Sequence, residues 1–191
     1  RTPEEGADEL EEALASRGVG TSERLVAAAP GSRWATKRWD PARFGAAVSR
    51  LSDELGWRAV VTGSPAETES GRRAAESAGR GAVDLTGELS LNGLIALAAR
   101  AELLLSNDSA AAHVAAGVGT PVVAVFGPTV PAQGFAPYSE RSRIVESRLE
   151  CRPCGRHGAD RCPRGALECM DNVGVDDVVS AALDLVGSEV R

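Results

Sequence analysis

Residues 102–126 read Glu102-Leu103-Leu104-Leu105-Ser106-Asn107-Asp108-Ser109-Ala110-Ala111-Ala112-His113-Val114-Ala115-Ala116-Gly117-Val118-Gly119-Thr120-Pro121-Val122-Val123-Ala124-Val125-Phe126. An apolar run at 102–106 stops at a small polar turn. An Ala-rich stretch follows, ending near Gly117 to Gly119, and a second apolar run occupies 121–126. Short apolar runs without alternation are strands buried on both faces, and a stretch rich in Ala between them is a helix. Strand, helix and strand in this order put the two strands parallel, because the chain must cross back over the sheet to start again.

The same alternation extends in both directions. Upstream, residues 2–17 place Ala7, Leu10, Ala13 and Leu14 on one helical face and end at Gly18 and Gly20. Residues 25–29 form the first strand. Asp40 then supplies an N-cap with Pro41 at the first helical position, and the helix it opens carries Phe44, Val48, Leu51 and Leu55 to Gly56. A second strand is expected at 57–62 and a more polar helix at 66–78, while Asp84-Leu85-Thr86-Gly87 is too short to assign. Ser90 caps a helix with Leu91, Leu94, Ile95 and Ala98 on its buried side. Downstream, a strand is expected at 143–147, a Gly- and Arg-rich irregular insertion at 151–169, and a last helix with Val175, Val178, Val179, Ala182, Leu183 and Val186 in register. The fold class is therefore α/β, a parallel sheet with helices on both faces.

The bulk numbers set limits on function. A chain of 191 residues fits one domain with its own core. No apolar run approaches the roughly 20 residues that cross a bilayer, and the start, Arg1-Thr2-Pro3-Glu4-Glu5, lacks the apolar core of a signal peptide, so a cytoplasmic site is expected. A net charge of −6 argues against nucleic acid as a partner, although it leaves room for one local anion site.

Three loops carry candidate chemistry. After the first strand, Pro30-Gly31-Ser32-Arg33-Trp34-Ala35-Thr36-Lys37-Arg38-Trp39 combines a Gly-Ser turn with Lys37 and two further cations, a set suited to diphosphate oxygens. It is not a Walker loop, and its alternative reading is a solvated basic loop. Ser106 to His113 lies where a strand feeds a helix, so helix N–H groups and the dipole face whatever binds beyond the strand end. Alternatively Asp108 or Ser109 is an ordinary N-cap, and His113 a buried, hydrogen-bonded histidine. Gly117-Val118-Gly119 follows a helix and lacks a third glycine, so it is no dinucleotide fingerprint. Glu67, just past Gly63-Ser64-Pro65, occupies another strand-to-helix connection, where a carboxylate can accept from the two hydroxyls of a ribose; by itself it is a surface glutamate. Cys151, Cys154, Cys162 and Cys169 allow a zinc knot, two disulfides or free packing thiols. The choice stays open.

Taken together, Ala29-Pro30-Gly31-Ser32 with Lys37-Arg38-Trp39, Thr62 to Glu67, Asp84 to Gly87, Ser106 to Ser109 with His113, Phe126-Gly127-Pro128-Thr129 and the Cys-x-Pro-Cys cluster resemble glycosyltransferase family 9, the ADP-heptose:lipopolysaccharide heptosyltransferases. The resemblance spans roughly residues 25–187, in matching order. It implies a GT-B enzyme with two Rossmann-like halves, of which this chain is the C-terminal, donor-binding half and too short to be the whole. Residues 1–24 would be an inter-domain linker and helix, and 25–187 the nucleotide-sugar-binding domain with the Cys-rich insertion at 151–169.

By the same resemblance, Ser32 and Lys37 hold the donor diphosphate, Glu67 the ribose and Leu89 the adenine. Asp108, Ser109, Ala110 and His113 line the diphosphate and sugar end, with Lys37 and the Asp108 turn stabilising the leaving group. Ala110 departs from the usual glycine. The implied reaction is inverting transfer from an ADP-sugar donor to lipopolysaccharide core, without a cofactor or catalytic metal. The general base and the acceptor would belong to an N-terminal domain, with peripheral contact at the inner face of the cytoplasmic membrane. The competing readings are a nucleotide-sugar-binding module without transfer, a family 9 transferase of another sugar, and a small zinc-stabilised interaction domain.

Overall fold

The computed structural model describes residues 3–187. In chain order the elements are α1 (Pro3–Ala15), β1 (Leu25–Ala29), α2 (Pro41–Leu55), β2 (Arg58–Val61), α3 (Thr68–Ala78), β3 (Val83–Asp84), α4 (Leu91–Arg100), β4 (Leu103–Asn107), α5 (Ala110–Gly117), β5 (Val122–Phe126), β6 (Ser142–Glu146), α6 (Glu168–Asp171) and α7 (Val175–Gly187). The strands form one sheet in the order β3-β2-β1-β4-β5-β6, and every neighbouring pair is parallel. From β1 the chain winds outward to β3. It then returns through α4 to the other side of β1 and winds outward again. The reversal leaves a crevice between the carboxyl ends of β1 and β4, the place where open parallel sheets bind ligands.

Two cores lie on opposite faces of this sheet, sorted by the two-residue period of the strands. Val26, Val61, Leu103, Leu105 and Val123 point to one face and pack with Phe44, Val48 and Leu51 of α2 and Val178, Val179 and Ala182 of α7. Leu25, Ala27, Val60, Leu104 and Val122 point to the other and meet Leu10 and Leu14 of α1, Leu97 of α4 and Ala112 and Ala115 of α5. Leu104 is fully buried, so Leu104→Ala would cost about 2–5 kcal/mol.

Local chemistry sets many element ends. Asp40 accepts from the Ala42 N–H (3.0 Å) at the start of α2, and Gly56 ends it in the left-handed region at φ 69°. Ser90 accepts from the Gly93 N–H at the start of α4. Before α3 a 3-10 turn occupies Pro65–Glu67, so the regular helix starts at Thr68 rather than residue 66.

Two helices meet the expected inward face only in part, keeping Leu10, Leu14 and Ala98 inside but not Ala7 or Leu91. In α1 the buried residues are Gly6, Leu10 and Leu14, whereas Ala7 is exposed; Thr2 lies outside the described residues. In α4 they are Gly93, Leu97 and Ala98, and Leu91 is 67% exposed. One seam explains both. A Cβ on Gly6 would stand 2.5 Å from the backbone carbon of Asn92, so α1 and α4 touch backbone to backbone where only glycine fits. Glu9 accepts from the Ser90 N–H and hydroxyl at the same seam, fixing the rotation of both helices. Among the described residues no helix is long and apolar enough to cross a membrane.

Candidate functional site

The carboxyl ends of β1 and β4 open on a cleft of about 240 Å³ whose lining includes Gly31, Ser32, Lys37, Glu67, Asp108 and Ala110. Asn107, the last residue of β4, stitches its walls together. Its Nδ2 donates to the carbonyls of Pro30 (2.8 Å) and Gly31 (3.2 Å), and its Oδ1 accepts from the Trp39 N–H (2.9 Å). A single buried amide thereby satisfies backbone groups at both ends of the 30–39 loop, which would otherwise be costly to bury. The Arg38 Nε closes the loop on the Ser32 carbonyl at 2.7 Å. A solvated basic loop describes Arg33 and Arg38, which are exposed, but not Ser32 or Lys37, each only 5% exposed.

Lys37 reaches across the switch point to Asp108, with Nζ 2.5 Å from Oδ2. The same oxygen accepts from the Thr129 hydroxyl at 2.5 Å, and the ammonium sits 4.7 Å from the centre of the Phe135 ring. Asp108 is therefore not a helix cap. Ser109 takes the N-cap position, but its hydroxyl pairs with that of Ser106 at 3.0 Å, and α5 begins with no side-chain cap bond. The N–H groups of its first turn, which have no intrahelical acceptor, remain for a ligand in the cleft.

Glu67 enters from the β2–α3 connection. Its Oε2 accepts from the Ser64 N–H and hydroxyl, both at 2.8 Å, while Oε1 lies over Gly31, where a Cβ would stand 2.0 Å away. Gly31 is required for this close approach. Leu89 is half-buried just ahead of α4, packed against the core face that α4 covers. Ser109 and Ala110 line the cleft, but His113 does not: it is exposed, one turn along α5, because Ala111, Ala112 and Ala115 fill the inner face of that helix. The expectation of a buried histidine is overturned.

Sequence reasoning assigned no role to Thr129, although its place directly after β5, beside the switch point, was a usable signal.

The four cysteines, Cys151, Cys154, Cys162 and Cys169, are free thiols. Cys154, Cys162 and Cys169 line a separate cavity of about 250 Å³ with Thr36, Pro128 and His157. Among the described residues no group of three or more His, Cys, Asp or Glu is placed to hold a metal ion. Burial, more than the neighbouring thiols, pushes Cys169 up to about 11 and raises Cys154 as well.

Comparison with known proteins now bears on this geometry. The model of glycosyltransferase family 9 (heptosyltransferase) matches residues 2–161. The chain belongs to glycosyltransferase family 9. Over 126 residues this family 9 domain is 34% identical to lipopolysaccharide heptosyltransferase 1 of Pseudomonas aeruginosa, an alignment covering 65% of this chain and 34% of that protein. Its fold is similar to the family 9 glycosyltransferase of Veillonella parvula, with a TM-score of 0.80 at 25% identity, over 96% of this chain and 52% of that one. The E. coli ADP-heptose lipopolysaccharide heptosyltransferase II gives 0.77 at 22% identity, over 96% and 53%. The domain is thus Rossmann-like, of the GT-B type, and spans about half the length of these solved relatives. Sequence and fold together make it transferase-like.

Proposed function

We propose that this family 9 domain is the donor half of an inverting glycosyltransferase, binding an ADP-sugar and stabilising the departing diphosphate. The observation that carries the reading is the buried Lys37–Asp108 pair beside the uncapped start of α5. An ammonium has three donors, and Asp108 takes one. The other two, with the Ser32 hydroxyl and the first-turn amides of α5, form a donor set for diphosphate oxygens. Glu67 Oε1 accepts from the ribose, Leu89 packs on the adenine, and Asp108, Ser109 and Ala110 border the sugar end.

In the reaction an acceptor hydroxyl forms a bond to the anomeric carbon as the bond to the diphosphate oxygen breaks. ADP leaves with the electron pair, and the negative charge growing on it is met by Lys37 and the α5 amides, an electrostatic contribution needing no metal. The hydroxyl proton goes to a base supplied, with the acceptor site, by the other half of the enzyme. Heptose as the sugar and lipopolysaccharide as the acceptor follow the names of the relatives; the core as the point of attachment and the cytoplasmic face of the membrane as the place of transfer are part of the same proposal.

Calorimetry with ADP-heptose, ADP, a UDP-sugar and a GDP-sugar tests the reading. Tightest binding of the adenine ligands is expected; equal or tighter binding of the UDP-sugar would overturn it.

A further inference from the structure

Asp108 is aimed by two residues, and only one of them, Lys37, belongs to the donor set. The second is Thr129, fully buried, whose hydroxyl donates to the same Oδ2 that receives the ammonium. A carboxylate turns easily about its last side-chain torsion, so a single partner on a flexible lysine stem does not define its plane. A second donor from a fixed direction does.

Thr129 is itself fixed by the Cys-rich segment. Three consecutive carbonyls of its turn are held there: Gly127 by Arg152 Nε, Pro128 by the Cys154 N–H at 2.9 Å, and Thr129 by Arg152 Nη2 at 2.8 Å. The Arg152 side chain is only 4% exposed, and Met170 closes the space over Gly127, where a Cβ would stand 2.8 Å from its Cε.

We propose that Thr129 is a positioning residue: locked by Arg152 and Cys154, it orients the Asp108 carboxylate, which in turn holds the Lys37 ammonium where it meets the donor diphosphate. The ligand part of this rests on the donor-site reading above, and the role is to orient, with no bond made or broken by Thr129.

The test uses Thr129→Val, which keeps the volume and removes the donor, Thr129→Ala, which removes it without bulk, and Thr129→Ser, which restores it. ADP is the probe. Val and Ala should each weaken ADP about tenfold, the lower end for a lost hydrogen bond to a charged group, and Ser should bind within about twofold of the parent. In a Lys37→Met background Thr129→Val should cause no further loss, since the residue acts through the lysine. A ligand-free readout accompanies this: the side-chain ammonium resonance of Lys37 in low-temperature NMR, protected by its bond to Asp108, should survive in Thr129→Ser and be lost in Val and Ala. Unchanged ADP affinity in Val and Ala, an equal loss without the lysine, or a persistent ammonium signal would each overturn the proposal. If the parent chain fails to bind ADP, the donor-site reading falls, and the ammonium signal still decides the role of Thr129.

Discussion

Lys37→Met separates what the Lys37–Asp108 pair does for the fold from what it does for a ligand. The two side chains are 7% and 4% exposed, and their charged atoms stand 2.5 Å apart. Removing one partner of a buried pair leaves an uncompensated charge, typically at a cost of about 3–5 kcal/mol. Here the Thr129 hydroxyl still donates to Asp108 Oδ2, so the lower end, about 3 kcal/mol, is expected. In a chain of 191 residues this lowers the melting temperature by about 6–12 °C. Asp108→Asn added to Lys37→Met removes the stranded charge while keeping an acceptor for Thr129, and should recover most of that loss.

ADP affinity should behave differently. It should fall by about 1.5–3 kcal/mol in Lys37→Met, as for lost hydrogen bonds to a charged group, and stay low in the double variant. Urea unfolding, melting curves and calorimetry on the two proteins supply the numbers. A single variant that melts like the parent, or a double variant no more stable than the single, would refute the buried-pair argument. Recovered ADP affinity in the double variant would refute the diphosphate role of Lys37.

Gly31→Ala forces Glu67 aside, since the new Cβ would lie 2.0 Å from its Oε1; once Glu67 no longer accepts from Ser64, stability should drop by about 1–2 kcal/mol, and adding Glu67→Ala should lower the melting temperature little further, because the same bonds are already gone, and should not restore ADP affinity. Cys169, 4% exposed and with its thiol pushed up to about 11, should resist iodoacetamide at pH 8 in the folded protein and react once urea exposes it, which mass mapping checks; labelling as fast as Cys162 would contradict this. The folded thiol also keeps its proton above the ordinary value of 9.0, so its contribution to stability is complete below pH 9 and lost as pH rises towards 11, measurable by urea unfolding across that window. Assayed alone with ADP-heptose and truncated lipopolysaccharide, the chain should bind donor and give no product, because the proposed half-enzyme reading assigns acceptor positioning and the general base to the other half; turnover equal to that of a protein with the complementary half would overturn that reading.

The parts of the fold legible in the sequence are those decided within a few residues. Asp40-Pro41 and Gly56 mark the ends of α2 through a side-chain cap and a left-handed backbone position, both matters of local chemistry. The runs 25–29 and 121–126 stand out because strands covered on both faces tolerate little but apolar residues, and β1 and β5 are buried throughout. The rotation of α4 is different in kind. Leu91 and Leu97 both fit a helical stripe, and the choice between them is made by Gly6, 86 positions before Asn92 in the chain, through a backbone contact that leaves no periodic trace. Strand β3 has only two residues, Val83 and Asp84, too few for a period to appear, and it exists because β2 offers it a parallel edge.

The site divides along the same line. That Ser32, Lys37, Glu67 and Asp108 belong together could be anticipated, because each follows a strand and parallel strands deliver their carboxyl ends to one rim. What each does to the next could not. Lys37 and Asp108 are 71 residues apart in sequence, and Thr129 a further 21 along; nothing local distinguishes a threonine that aims a carboxylate from one that ends a turn. The Cys-rich segment makes the point more sharply. Its cysteines draw the eye as metal or redox chemistry, yet its firmest ties to the rest of the molecule are made by the Arg152 guanidinium and the Cys154 backbone N–H, which hold the turn carrying Thr129. Thr36 joins the same segment to the Lys37 loop from the other side, its N–H and hydroxyl both donating to the Ala159 carbonyl. A segment that grips both neighbours of one buried ion pair must transmit its own disorder to that pair, so loosening residues 151–169 should weaken diphosphate binding even though no side chain of that segment lines the donor cleft.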